Sequence, residues 1–305
     1  MSIIAAAGPW AAISGMFAHD FMRNAFLAGT ASAMLAGPVG YFVVLRGLAF
    51  SGEALGHVAF TAALGSILLG FDPLMGIFVV TAGIAIGMAS LAPSVRMNDV
   101  AVGAVLAWVL GLGALFLFVY TSSASAGGAN GQAGLSALFG SILGVQPSQA
   151  ITAAAVAAVA LLALGIIGRP LLFASLDPEV AAVRGVPVRV LGAVFLVLVA
   201  VTVTDTVQVV GALLVLTLLV MPAAIARRWS VQPARALALS TALAISFVWG
   251  GLVFAYFLPY PATFFITTIA FSVYAGDLAV EAIHGRLQQA GQAPLERPQP
   301  VGYVG

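Results

Sequence analysis

Cysteine and lysine are both missing from this 305-residue chain, and only 7% of its residues are charged. Without cysteine, neither a disulfide framework nor a thiolate metal site can form. The scarcity of charge excludes an ordinary soluble domain, whose surface needs roughly 25% charged residues. No GxxxxGK[ST] loop occurs, so the chain brings no P-loop of its own to bind nucleotide. No HExxH pair occurs either. A nucleic-acid partner is not expected of such a chain.

Apolar residues fill the space, at 62% of the chain with a mean hydropathy of +1.13. Such a surface faces hydrocarbon, and the fold class follows: an all-α, polytopic transmembrane helix bundle. A helix needs about 20 apolar residues to cross a ~30 Å hydrocarbon core. Candidate spans run Asn24–Leu45, Ala54–Gly70, Pro73–Ala92, Ala101–Tyr120, Gln149–Gly168, Val190–Thr204, Val209–Ala226, Ala236–Phe257 and Ala262–Ile283. That makes nine, or eight if one is re-entrant. The 37 residues from Val190 to Ala226 are too long for one span, and Thr204, Asp205, Thr206 and Gln208 interrupt them. They read as two tightly joined helices, with Asp205 in an exposed turn on the outer face.

Residues 1–22 lack a basic stretch before Arg23 and contain Gly8 and Pro9, so they read as an interfacial segment rather than a cleaved leader or a span. Residues 23–285 form one transmembrane domain. Residues 286–305, with Pro294, Pro298 and Pro300, read as a disordered cytoplasmic tail. The glycine-rich run Thr121–Gly134 reads as a flexible outer connector. Asp72 with Pro73, and Asp99, sit where helices open. His19 and Asp20 read as interfacial.

Two groups of polar residues are candidates for metal chemistry. Glu53 and His57 stand at i and i+4, on one helical face among small and apolar neighbours. Ionisable residues inside membrane spans face the bundle interior and mark pathways or sites. A carboxylate and an imidazole so spaced can hold a divalent transition metal, whether zinc, manganese or iron. Equally, they can form a Glu–His hydrogen bond that locks the helix against a neighbour. Asp277, Glu281 and His284 are the weaker candidates, at i, i+4 and i+7, with Arg286 close behind marking a solvated helix end.

The inner loop Arg169–Arg189 contains a short helix near residues 175–187. Asp177 is its N-cap, Pro178 its first residue and Glu179 lies in its first turn, while Gly185 and Pro187 end it after Arg184. A helix lying across such a loop reads as a docking element. A transporter without a nucleotide motif takes its energy from an ion gradient or from a partner, and a docking helix favours the partner.

The run Leu45–His57, with its Arg46, Glu53 and His57, resembles a segment of the permease subunits of zinc/manganese-type ABC importers. So do Leu138–Val145, Ser175–Gly185, and Val209–Leu214 followed by Met221–Arg227. The matches run in order from Phe21 to about Ala282. The resemblance implies a type II importer architecture like that of vitamin B12 transporters. It implies a permease homodimer in a bacterial inner membrane, two ATPase subunits that supply ATP hydrolysis, and an extracytoplasmic metal-binding protein. It places Glu53 and His57 on the family's metal acid and histidine, with Glu where Asp is commoner. Asp177, Pro178, Glu179, Arg184 and Gly185 fall on the ATPase-coupling segment. The transported metal is substrate, and no permanent cofactor is implied. An ion-coupled secondary carrier would need acids in several helices, and a membrane metalloenzyme would need more ligands than one pair.

With the N-terminus outside, ten of the eleven arginines fall on the inner side, and only Arg23 stays outside. Single cysteines introduced into this cysteine-free chain should be labelled from outside at residue 128 and from inside at residue 300. The opposite pattern would reverse the orientation.

Overall fold

The computed structural model describes residues 15–91, 99–122, 140 and 142–291. Ten α-helices follow one another: α1 (Asp20–Leu45), α2 (Ala49–Leu68), α3 (Pro73–Leu91), α4 (Asp99–Ser122), α5 (Pro147–Leu176), α6 (Pro178–Val183), α7 (Val188–Val210), α8 (Val215–Trp229), α9 (Pro233–Phe257) and α10 (Ala262–Gly291). Single 3-10 turns at Ile142–Gly144 and Ala212–Leu214 precede α5 and α8. No strand occurs among the described residues. Seven of the helices are long and apolar enough to cross a membrane. The chain is thus a multi-pass membrane protein.

Local chemistry explains most helix ends. Gln146 and Gln149 form a reciprocal capping box, with Pro147 at the first helical position of α5. The Asp72 carboxylate accepts the Met75 N–H at 3.0 Å and opens α3. Asp177 Oδ1 accepts the Val180 N–H at 3.0 Å and opens α6, the helix expected there.

Every expected span has a helix, but several boundaries differ. Residues Arg169–Leu176, expected in a loop, continue α5 through Pro170. The expected inner segment Arg46–Glu53 shrinks to a three-residue turn, because α2 begins at Ala49. The helix α10 runs on to Gly291. Residues 1–14, 92–98, 123–139, 141 and 292–305 lie outside the described residues, and with them most of the expected N-terminal segment, outer connector and tail.

The largest correction concerns residues 190–226. The chain does not turn at 204–208; α7 passes through them unbroken and ends at Gly211, where φ is +95°. The hydroxyls of Thr202 and Thr206 donate to the carbonyls of Leu198 and Thr202, each at 2.8 Å. These threonines are satisfied inside the helix and need no water, so they do not end it. Glycine alone enters that positive-φ region freely, which is why the break waits for residue 211. Asp205 is not in an exposed turn: it is 2% exposed.

The two longest-buried helices, α1 and α7, form the centre. Around α1 pack α5, α7, α8 and α9, while α2 packs against α3, α4, α7 and α8. The Arg227 guanidinium donates to the Val44 carbonyl, and Arg46 lies over the Phe195 ring. Arg228 pairs with Asp277. These contacts bring the ends at Arg46, Val188, Trp229 and Asp277 to one side of the bundle. With 15 residues, α8 spans only about 22 Å. Val210, Ala212, Leu214 and Val215, where α7 passes into α8, are all buried, so the tip of the α7–α8 hairpin lies within the bundle.

Helix α8 reaches α1 at a point where no side chain fits. A Cβ built on Gly40 would run into the backbone carbonyl of Leu219. Gly83 on α3, by contrast, has open space around it. Gly40→Val should therefore cut the yield of folded protein severely, since overpacking costs ~1–3 kcal/mol or more where a backbone must move. Gly83→Ala should match the wild type in detergent-solubilised yield and melting temperature.

Candidate metal site

The short turn from α1 into α2 sets the depth of Glu53 and His57. Glu53 is the fifth residue of α2 and His57 the ninth, so His57 lies about 12 Å along the helix axis from its start. From Ser51 to Ala62, all other residues of α2 are buried. Glu53 and His57 form the one stripe left partly open, with side chains 29% and 18% exposed. Their functional atoms converge: His57 Nε2 lies 3.2 Å from Glu53 Oε1.

That separation suits a shared ion. Two donors each about 2.1 Å from a metal stand about 3.0–3.4 Å apart when the angle between them is 90–110°. Among the described residues, no three metal-ligating side chains gather at one point. One chain thus offers two donors, one nitrogen and one carboxylate. The same geometry is also a helix-internal hydrogen bond, so distance alone does not separate the two uses.

The floor beside the pair comes from the tip of the α7–α8 hairpin. A Cβ position on Gly56, the residue before His57, lies 3.8 Å from the Ala212 carbonyl oxygen and 4.0 Å from Val203 Cγ1. Gly140 packs its backbone onto Val210 and Gly211. The rest of the Leu138–Val145 motif is only partly within the described residues.

The weaker candidates behave differently. Arg228 lies between Asp277 and Glu281, 3.3 Å from the former and ion-paired with the latter. The Trp229 indole N–H also donates to Asp277 Oδ1 at 2.7 Å. Both acids of α10 are thereby engaged with the end of α8. The backbone of His284 lies in α10, and its side chain is outside the described residues.

One polar contact escaped the sequence reading. Ser32 Oγ of α1 donates to Asp205 Oδ2 of α7 at 2.8 Å, wholly inside the bundle. Its sequence signal was an acid amid a long apolar run, which is also the signal of a turn.

The manganese import system permease protein ScaB of Streptococcus parasanguinis is 31% identical over 216 residues, covering 70% of this chain and 74% of that protein. The high-affinity zinc uptake system membrane protein ZnuB of Haemophilus influenzae is 28% identical over 240 residues, covering 78% and 89%. The structure of PsaBC from Streptococcus pneumoniae in complex with Fab superposes with a TM-score of 0.76 at 27% identity, covering 87% of this chain and 93% of that one. Residues 18–281 match the ABC 3 transport family, and the chain belongs to it.

Proposed function

We propose that this chain is the membrane permease subunit of an ATP-driven importer of a divalent transition metal, manganese or zinc. The observation that carries the reading is the Glu53–His57 pair. It is an acid and an imidazole 3.2 Å apart, the two partly open residues of the otherwise buried stretch 51–62 of α2. Relatives named for manganese import and for zinc uptake support the substrate class. One nitrogen and one carboxylate suit either metal.

Two donors do not complete a coordination shell. A second copy of the chain, with its own α2 facing the first across a two-fold axis, supplies the other imidazole and carboxylate. The homodimer sits in a bacterial inner membrane, and an extracytoplasmic metal-binding protein delivers the ion. To bind metal, His57 carries its proton on Nδ1 and presents a bare Nε2 to the cation, and Glu53 supplies a negative charge that offsets part of the ion's. The apolar neighbours on α2 lower the local dielectric and strengthen that attraction.

The energy comes from an ATPase subunit that docks on the α6 region. There the exposed side chains of Val180 and Val183, the latter 89% exposed, lie at i and i+3 on one face of α6, and the exposed Leu176 ends α5 just before it. Glu179 and Arg184 flank them, both exposed. An apolar stripe rimmed by charges has the composition of a protein interface rather than of a solvated loop.

Metal uptake by the reconstituted permease, ATPase and binding protein tests the reading. His57→Ala should abolish uptake while leaving expression and ATPase assembly intact, and Glu53→Gln should slow it at least about tenfold. Glu53→Asp should retain uptake with a shifted metal preference. Wild-type manganese and zinc uptake by His57→Ala would make the pair a helix lock and place the site elsewhere. Separately, the double variant Glu179→Ala, Arg184→Ala should lose ATPase co-purification and metal-stimulated hydrolysis while the permease still folds. Full ATPase retention and uptake would remove the docking role.

A further inference from the structure

Asp205 has no part in the metal pair, yet it is a 2%-exposed acid in the middle of an apolar bundle. Among the described residues no arginine or histidine lies within ion-pair distance of it. Its observed partner is a hydroxyl, Ser32 Oγ, which donates to Oδ2 at 2.8 Å. Asp205 thus serves as a hydrogen-bond acceptor rather than as half of a salt bridge. A buried acid is costly to keep in hydrocarbon unless it is used.

What it does follows from where α7 lies. On one side α7 meets α1 through Asp205 and Ser32. On another it meets α2, where Val203 Cγ1 lies 4.0 Å from the point at which a Cβ on Gly56, directly before His57, would stand. The Ala212 carbonyl oxygen, just past the end of α7, lies 3.8 Å from that same point. Most other α7 side chains facing its neighbours are Val, Leu and Ala, and dispersion between such surfaces sets axial register only weakly. A slip of one residue would move the helix about 1.5 Å and turn it about 100°. Errors near 1 Å are enough to spoil a binding constellation.

We propose that Asp205 is a positioning residue for the Glu53–His57 pair. Through Ser32 it fixes the register of α7 against α1. It thereby holds Val203 and the Ala212 carbonyl against the stretch of α2 that carries His57. This inference rests on the reading of Glu53 and His57 as metal donors.

The test measures equilibrium manganese binding to the purified permease–ATPase complex, together with maximal uptake by the complete reconstituted importer. Asp205→Leu and Ser32→Ala should each raise the manganese dissociation constant about tenfold, as loss of a supporting partner does at metal sites. Maximal uptake should stay within about twofold of wild type. The double variant should bind no worse than Asp205→Leu alone, because both remove the same bond. Asp205→Asn, which keeps an acceptor oxygen and removes the charge, should bind manganese like the wild type.

Wild-type affinity in both Asp205→Leu and Ser32→Ala would overturn the proposal. So would an Asp205→Asn as impaired as Asp205→Leu, since the charge and not the acceptor would then matter. Should Asp205→Leu fail to fold, Ser32→Ala and Asp205→Asn still decide. His57→Ala serves as the reference. If it binds manganese normally, the metal-pair reading fails. If it does not bind while the Asp205 and Ser32 variants all bind normally, the positioning role alone fails.

Discussion

Helix α1 is gripped by its neighbours at points where backbone meets backbone. Gly37 lies against the backbone of Thr241, and Gly40 against that of Leu219, with no room at either for a Cβ. The hydroxyl of Ser240 donates to the Gly37 carbonyl at 2.8 Å and seals the first of these approaches. In hydrocarbon there is no hydrophobic driving force between helices, so association rests on such close van der Waals contact and on a few hydrogen bonds. The positions of α8 and α9 depend on α1 accepting them this closely. The hairpin tip beside His57 depends in turn on α8.

The fold was largely legible in the sequence, because hydrocarbon demands long apolar helices and leaves few alternatives. Each apolar run did become a helix, and the Asp72–Pro73 and Asp177–Pro178 signals marked true helix starts. The failures share one cause. Polar residues at 204–208 read as a break because polarity in an apolar run usually signals water. Threonine can instead hide its hydroxyl on the carbonyl four residues back, and Asp205 found a serine 173 positions away. No local pattern announces a partner so distant. The real break needed only glycine, which has no periodicity to betray it. Likewise residues 169–176 read as part of a loop, yet α5 carries Pro170 near the arginine-rich side of the bundle and continues to Leu176.

Of the candidate site, the sequence disclosed what depends on a single helix. The i and i+4 spacing of Glu53 and His57 forces their side chains onto one face, and the 3.2 Å separation follows from that geometry. What depends on other helices was hidden. The approach of Val203 and the Ala212 carbonyl to Gly56 is one case. The capture of Asp277 and Glu281 by Arg228 is another: the spacing of those acids on α10 was readable, but their partner at the end of α8 was not.

The break at Gly211 also has an electrostatic side. Helix α7 ends there with a buried C-terminus equivalent to roughly half a negative charge, and α8 begins four residues after Gly211 with roughly half a positive one. In a hairpin these opposite poles sit side by side, so their fields cancel beyond about one helical turn. The broken backbone therefore leaves little net field at that level, although the tip lies inside a low-dielectric bundle. Formal charge at that level comes from side chains alone, and a change of side chain there can alter it without rebuilding the backbone.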